Sequence, residues 1–332
     1  MGDKVQPQGS RLGMVIALVL AVLLAAGVIG AAKIVQDRAA RQPVALSSPE
    51  MPDDDSPACA DLVGRLPDRL GGLVRAGLAD PTPAGAAVWR DSLDDRVTLR
   101  CGASVPVQYT EMAKTEDVEG VEWLKVSDGA AGTDLVTWYS VGRSPIVAVT
   151  ANDSHADSLP AISEAMGPDV GDGPEPNPLP LADLAAPHDD GVCSGFNGTL
   201  PEDLGEFHRV PDADLPEDSR GLAVWTDHTG QLVTARCGVA EPPAYAGTDK
   251  PLTQVGDIVW FNDPDHTTGV TGVYYAMGRE RFVAVHVPMA QASGLLPAFS
   301  EVIANTLKNT APSEEHAQAP APAGTAAPAA GS

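Results

Sequence analysis

The chain has 332 residues, with 45 acidic against 21 basic side chains and a formal net charge of −24. That length accommodates about two domains of ordinary size. So negative a field repels phosphate backbones, so nucleic acid is not expected as a partner. The excess lies beyond position 42: setting aside five basic and two acidic residues before it leaves 16 basic and 43 acidic, a net −27.

Residues 1–11 are expected to be a short cytoplasmic N-terminus. Leu12 to Ala32 reads LGMVIALVLAVLLAAGVIGAA without a charge. At about 1.5 Å per residue this run spans about 30 Å as a helix, the hydrocarbon thickness of a bilayer. Gly30-Ala31-Ala32 fits a small-x-small cleavage site, but the run exceeds the usual signal core of about 7 to 15 residues, so 12–32 is predicted as an uncleaved transmembrane anchor. Lys4 and Arg11 precede it and Lys33, Arg38 and Arg41 follow it, so basic flanks do not orient it. Four cysteines in a distant, paired arrangement do, because they suggest an oxidising compartment. The expectation is a single-pass protein of the cell membrane with its C-terminal bulk outside the cytoplasm. Residues 33–57 are predicted as a flexible tether.

Beyond the tether the chain repeats itself. At an offset of 134 to 137, Cys59 falls on Cys193, Leu66-Pro67 on Leu200-Pro201, Trp89 on Trp225, and Arg100-Cys101-Gly102 on Arg236-Cys237-Gly238. Trp123 then falls on Trp260, Tyr139 on Tyr275, Gly142-Arg143 on Gly278-Arg279, and LPAISE on LPAFSE. So many rare residues in one order mark a tandem duplication. Repeat domain 1 is placed at 58–166 and repeat domain 2 at 192–309. Between them, 167–191 is rich in Pro, Gly and acid and reads as a linker. The Ala/Pro-rich tail 310–332 is expected to be disordered.

Within a copy, Cys59, Leu62, Val63 and Leu66 follow helical spacing until Pro67 limits the helix. Strand-like runs follow: AAVW, RVTLRC, VEWLKV, LVTWYSV and PIVAVT, with LAVW, QLVTARC, DIVWF, GVYYAM and RFVAVHV as counterparts. HTGQ and GRER look like hairpin turns. An amphipathic helix over about Ala292 to Leu307 closes copy two, and LPAISEAM is its shorter equivalent. Runs of strands flanked by helices indicate an α+β class: after the transmembrane helix, two similar domains, each an antiparallel sheet with flanking helices.

In RVTLRCG, Val97, Leu99 and Cys101 alternate with Arg96, Thr98 and Arg100, so the thiol faces the core and the arginine faces away. Four cysteines allow three pairings, and the repeat favours Cys59 with Cys101 and Cys193 with Cys237.

Reactive constellations are scarce. There is no C-x-x-C pair, no G-x-S-x-G elbow and no Gly-rich phosphate loop. The seven histidines match at no position between the copies. NDPDHTTG, from Asn262 to Gly269, clusters oxygen ligands but lacks the spacing and closing glutamate of an EF-hand. No catalytic residue, metal ligand or cofactor is therefore expected. Arg100, Arg143, Arg236 and Arg279 recur in a chain poor in arginine, and a guanidinium can clamp a carboxylate or phosphate bidentately. They are the candidate ligand or partner contacts, the alternative being that they pair with nearby acids or cover strand faces. The repeated Trp and Tyr could line a groove, although aromatic residues on strands usually fill a core.

The string Cys…LPDRLGG…W…LRCG…VEGVEW…WYSVGRSPIVAV resembles a family of actinobacterial exported or membrane-anchored proteins of unknown function, with R-C-G-V-x-x-P, V-x-G-V-x-W and Y-G-R elements. Arg236 to Val239 with Pro242 matches the first, and Val118 to Trp123 the second. The resemblance implies compartment and lineage, and no catalytic residues. The expected role is a membrane-anchored, extracytoplasmic, non-catalytic binding or scaffolding protein of the cell envelope, with an envelope protein or wall component as partner. The alternatives are a cell-wall-acting enzyme with dispersed acidic residues and an accessory subunit of a membrane complex.

Overall fold

The structure is a computed structural model that describes residues 11–40, 43–47, 51–91, 95–127, 133–167, 173–188, 190–246 and 252–311. The expected cytoplasmic segment up to residue 10 and the expected disordered tail beyond residue 311 lie outside the described residues. Helix α1 (Arg11–Ala40) contains an apolar stretch, Gly13–Val35, of 23 residues with mean hydropathy 2.8, none of it buried. That is long and apolar enough to cross a membrane, and a signal sequence passes the same test.

The rest divides into two compact units that meet in the chain at Asn177 and Pro178. In the first, helix α2 (Pro57–Arg65) precedes strands β1 (Arg69–Leu70), β2 (Leu73–Ala76), β3 (Ala86–Arg90) and β4 (Arg96–Ala103). Strands β5 (Thr115–Val118), β6 (Val121–Ser127), β7 (Leu135–Ser140) and β8 (Ile146–Asn152) follow, then helix α3 (Leu159–Met166). The second runs through helix α4 (Gly191–Asn197) and strands β9 (Asp203–Leu204), β10 (Phe207–Arg209), β11 (Leu222–Thr226) and β12 (Leu232–Val239). It continues with β13 (Leu252–Val255), β14 (Ile258–Asn262), β15 (Thr271–Met277), β16 (Phe282–Pro288) and helix α5 (Ala292–Thr306).

Both sheets have one topology. The first orders its eight strands β1-β2-β3-β4-β8-β7-β6-β5, and the second β9-β10-β11-β12-β16-β15-β14-β13. Neighbouring strands pair antiparallel, β4 with β8 and β12 with β16 at the centre. The α+β expectation holds, with turns at HTGQ and GRER as read. The sequence pattern overlooked β1, β2, β5 and their counterparts, short strands at or next to the sheet edges with too few residues to show a period.

One face of each sheet carries the helices. In domain 1, Trp89, Val97, Leu99, Trp123 and Val149 pack with Leu62 of α2 and Ile162 of α3. In domain 2, Trp225, Trp260, Val285 and their neighbours pack against Phe196 of α4 and Phe299 of α5. The indoles are core, and their N–H groups are satisfied alike in both copies. Trp89 and Trp225 donate to the carbonyls of Pro67 and Pro201 at 2.8 and 2.9 Å, and Trp123 and Trp260 donate to Ser163 and Ser300 Oγ, each at 2.9 Å.

The other face corrects the tether and linker expectations. Residues 33–40 continue α1, and 43–47 lie on the first sheet: Val44 donates to Gly77 O at 2.9 Å and accepts from Ala79 N at 3.0 Å. Val44 packs with Ala76 and Val88, and Leu46 joins them. Residues 178–188 do the same in domain 2, where Leu179 and Leu181 are buried and Ala185 O accepts from Ala240 N at 2.8 Å. Asn177 closes on domain 1 instead, its side-chain amide donating to Pro106 and Tyr109 carbonyls. Such segments hold too few apolar residues to form a core, but two apolar residues suffice to cover an existing sheet face. We call them straps.

Candidate functional site

The repeated arginines hold these straps. Arg100 donates to Ser47 O at 2.6 Å, and Arg236 donates to the carbonyls of Leu181, at 2.8 Å, and Ala182. Each thus clamps the segment just upstream of its own domain. Arg143 and Arg279 hold the far end: Arg143 donates to Gly167 O at 3.4 Å, just past α3, and Arg279 to Leu307 O at 3.2 Å, just past α5. Arg279 also reaches Asp257 O at 2.8 Å. Cationic donors on terminal helix carbonyls complement the negative end of the macrodipole. Arg100, Arg143, Arg236 and Arg279, the candidate ligand or partner contacts, are thus engaged in strap and helix clamping.

The Cys-Gly pair beside Arg100 and Arg236 is also placed alike in both copies. Cys101 is bonded to Cys59 on α2, and Cys237 to Cys193 on α4, so each bridge joins the first helix to the central strand. Gly102 and Gly238 have φ of +83° and +76°, at bulges where the central pairing shifts register. A Cβ on Gly102 would meet the backbone of Asp53 at 2.4 Å, so only glycine lets the segment leading into α2 pass. Arg75 and Arg209, which the self-comparison did not single out, stand over Trp89 and Trp225 at 5.9 and 4.8 Å from the ring centroids. These are cation–π contacts on the core indoles.

The two domains differ beside the final helix. In domain 2, α5 and the β9–β10 hairpin flank a groove of about 610 Å³ that includes Asp203, Glu206, Gln291 and Glu301 above Phe207 and Leu295. Its charged lining residues are all acidic. Gln291 borders it, with its Oε1 shut off from solvent and without a hydrogen-bond partner. Asp203 lies 2.7 Å from His208, an exposed pair. The repeat-related positions in domain 1 carry Arg69 for Asp203 and Gly72 for Glu206. There Arg65 donates across to Ala165 O at 3.0 Å, and the positions equivalent to those two are Thr199 and Val302, both lining the groove. Domain 1 spans with its own guanidinium what domain 2 leaves open.

Beside the groove, ligand atoms of Glu206, Asp227 and His228 lie within 4.8 Å of one another, the residues that could hold a metal ion. Asp227 is buried, and its Oδ1 accepts from Thr229 N at 2.9 Å and Gln231 N at 2.8 Å, so it shapes the β11–β12 turn. The trio was not legible in sequence because it joins two hairpins. In NDPDHTTG, Asp263 accepts from Asp265 N at 3.0 Å and lies 2.9 Å from His266 Nδ1, so its oxygens serve their own turn.

The sequence matches the family described as a protein of unknown function, DUF3515, over residues 18–174 and again over 166–312. The chain belongs to the DUF3515 family. Its two DUF3515 matches follow the two domains, with the strap of the second beginning just beyond the first match. No curated protein and no solved structure matches the chain.

Proposed function

We propose that this DUF3515 protein is a membrane-anchored, extracytoplasmic binding protein of the cell envelope that works without catalysis. The membrane-length helix supports attachment, and the two buried disulfides support an oxidising compartment. One observation carries the binding role. The copies retain the same core, clamps and bridges, yet domain 2 opens an acid-lined groove at the place where domain 1 closes itself with Arg65. Duplication supplies a supporting copy and a presenting copy.

A photo-crosslinking residue placed at Thr199 of the full chain in intact cells is expected to give a discrete adduct with an envelope component. The same residue at exposed Gln254, away from the groove, is expected to give none. Equal adducts at both positions, or none at Thr199, contradict the binding role.

A further inference from the structure

We infer that the domain 2 groove receives a guanidinium, carried on an arginine side chain of a partner polypeptide; this rests on the binding role proposed above and names its ligand chemistry. The first argument is the other copy. Arg65 of domain 1 places its guanidinium between the end of the first helix and the last helix, donating to Ala165 O at 3.0 Å. The position of Arg65 is Thr199 in domain 2, a short side chain whose hydroxyl donates to Phe196 O at 2.7 Å and reaches no further. The same scaffold therefore fits an arginine at this place, and domain 2 lacks its own.

The acceptors have changed to suit a donor from outside. In domain 1 the guanidinium meets a carbonyl near the end of α3, which stops at Met166. In domain 2 the helix continues to Thr306, and Val302 O is taken by Thr306 Oγ1 at 2.7 Å. Side-chain carboxylates supply acceptors instead: Asp203, Glu206 and Glu301 line the groove. A guanidinium brings five N–H donors and no acceptor, so it complements such a lining, and two carboxylates can take it bidentately. The walls match the rest of the side chain. The half-buried Ala298 and Val302, above the buried Leu204, Phe207 and Leu295, offer apolar surface for a three-carbon stem whose charged head stays at the acidic rim.

Fluorescence anisotropy with full-length protein in nanodiscs at about 0.15 M salt tests this. The probe is a labelled (Arg-Ala)3 peptide, with (Lys-Ala)3 and the neutral (citrulline-Ala)3 as comparisons. The Arg peptide is expected to bind at least tenfold more tightly than the Lys peptide, and the citrulline peptide not at all. Thr199→Arg, which restores the internal plug of domain 1, is expected to weaken binding at least tenfold. Gln254→Arg, which adds the same charge away from the groove, is expected to change it less than twofold. Glu206→Gln with Glu301→Gln should weaken it likewise, with thermal unfolding of each variant followed to establish folding. Equal loss in Thr199→Arg and Gln254→Arg would mean attraction to the acidic surface alone and overturns the inference. So does equal affinity for the Lys peptide, or displacement of the Arg peptide by spermidine at lower concentration than by arginine amide, since both point to a plain cation site. Failure of every peptide to bind overturns the guanidinium assignment, while the Thr199 crosslinking result continues to decide the binding role by itself.

Discussion

Gly102 shows how much of the fold rests on single atoms. It sits at φ +83° with the Asp53 backbone 2.4 Å from where a Cβ would be, whereas Gly120, at φ +78°, has nothing within 4 Å. Left-handed backbone costs a residue with a Cβ roughly 1–2 kcal/mol, which both positions would bear. Gly102→Ala is expected to destabilise domain 1 by about 3 kcal/mol or more, and Gly120→Ala by about 1–2 kcal/mol. Denaturant unfolding of the two variants separates conformational strain from displacement of the Asp53 segment, and equal losses would mean that segment does not press on Gly102. His286 acts by pH rather than sterics. Burial pushes its imidazole down to about 4 from an ordinary 6.5, only partly opposed by its backbone hydrogen bond with Leu232, and its Nδ1 has no partner. The unfolded chain then binds more protons than the folded one between about pH 6.5 and 4. Stability is therefore present above pH 6.5 and lost as pH falls through that window, by roughly 3 kcal/mol at most. His286→Leu is expected to flatten the decline in unfolding free energy between pH 7 and 5; an unchanged slope would exclude His286 as its source.

At the scale of elements, the straps decide whether the sheets have two covered faces or one. Arg236 holds the Leu181 and Ala182 carbonyls, and hydrogen bonds from charged donors contribute about 1.5–3 kcal/mol. Arg236→Ala is expected to lower the stability of domain 2 by about 2 kcal/mol and to speed amide exchange at Ala240, which donates to the strap at Ala185. Unchanged exchange there would detach the clamp from strap retention. The next pairing, Arg281 with Asp190 at 2.5 Å, caps the strap where α4 begins. The hydrogen bond from Arg281 holds the Asp190 carboxyl below its usual range, so this contribution is present above about pH 4 and lost as pH falls below it.

These elements also show what the sequence made legible. The central strands were readable because Val97, Leu99 and Cys101 alternate with polar residues and recur with their tryptophans one copy later. The straps were not, since Val44, Leu46, Leu179 and Leu181 stand among prolines and acids and acquire meaning only against a sheet formed elsewhere. The clamping arginines were found by repetition, but their carbonyl partners lie about 55 residues upstream in one case and cannot be read from spacing. The groove was hidden for a different reason. Its acids come from the β9–β10 hairpin and from α5, and the substitutions that open it, Arg65 to Thr199 and Arg69 to Asp203, look like ordinary divergence until both copies are folded.

At the scale of the whole molecule, the apolar helix, the disulfides and the duplication support the proposed account: a doubled fold suited to an oxidising compartment. Each bridge closes a long loop, with Cys59 and Cys101 separated by 42 residues and Cys193 and Cys237 by 44. Closing loops of that size stabilises each domain by about 2–4 kcal/mol. The most direct measurement is peptide mapping by mass spectrometry, without reduction, on protein blocked with a thiol reagent as it leaves its native membrane. The account predicts the linked pairs Cys59–Cys101 and Cys193–Cys237 and no blocked thiol. Free cysteines, or a bridge from one domain to the other, would contradict it.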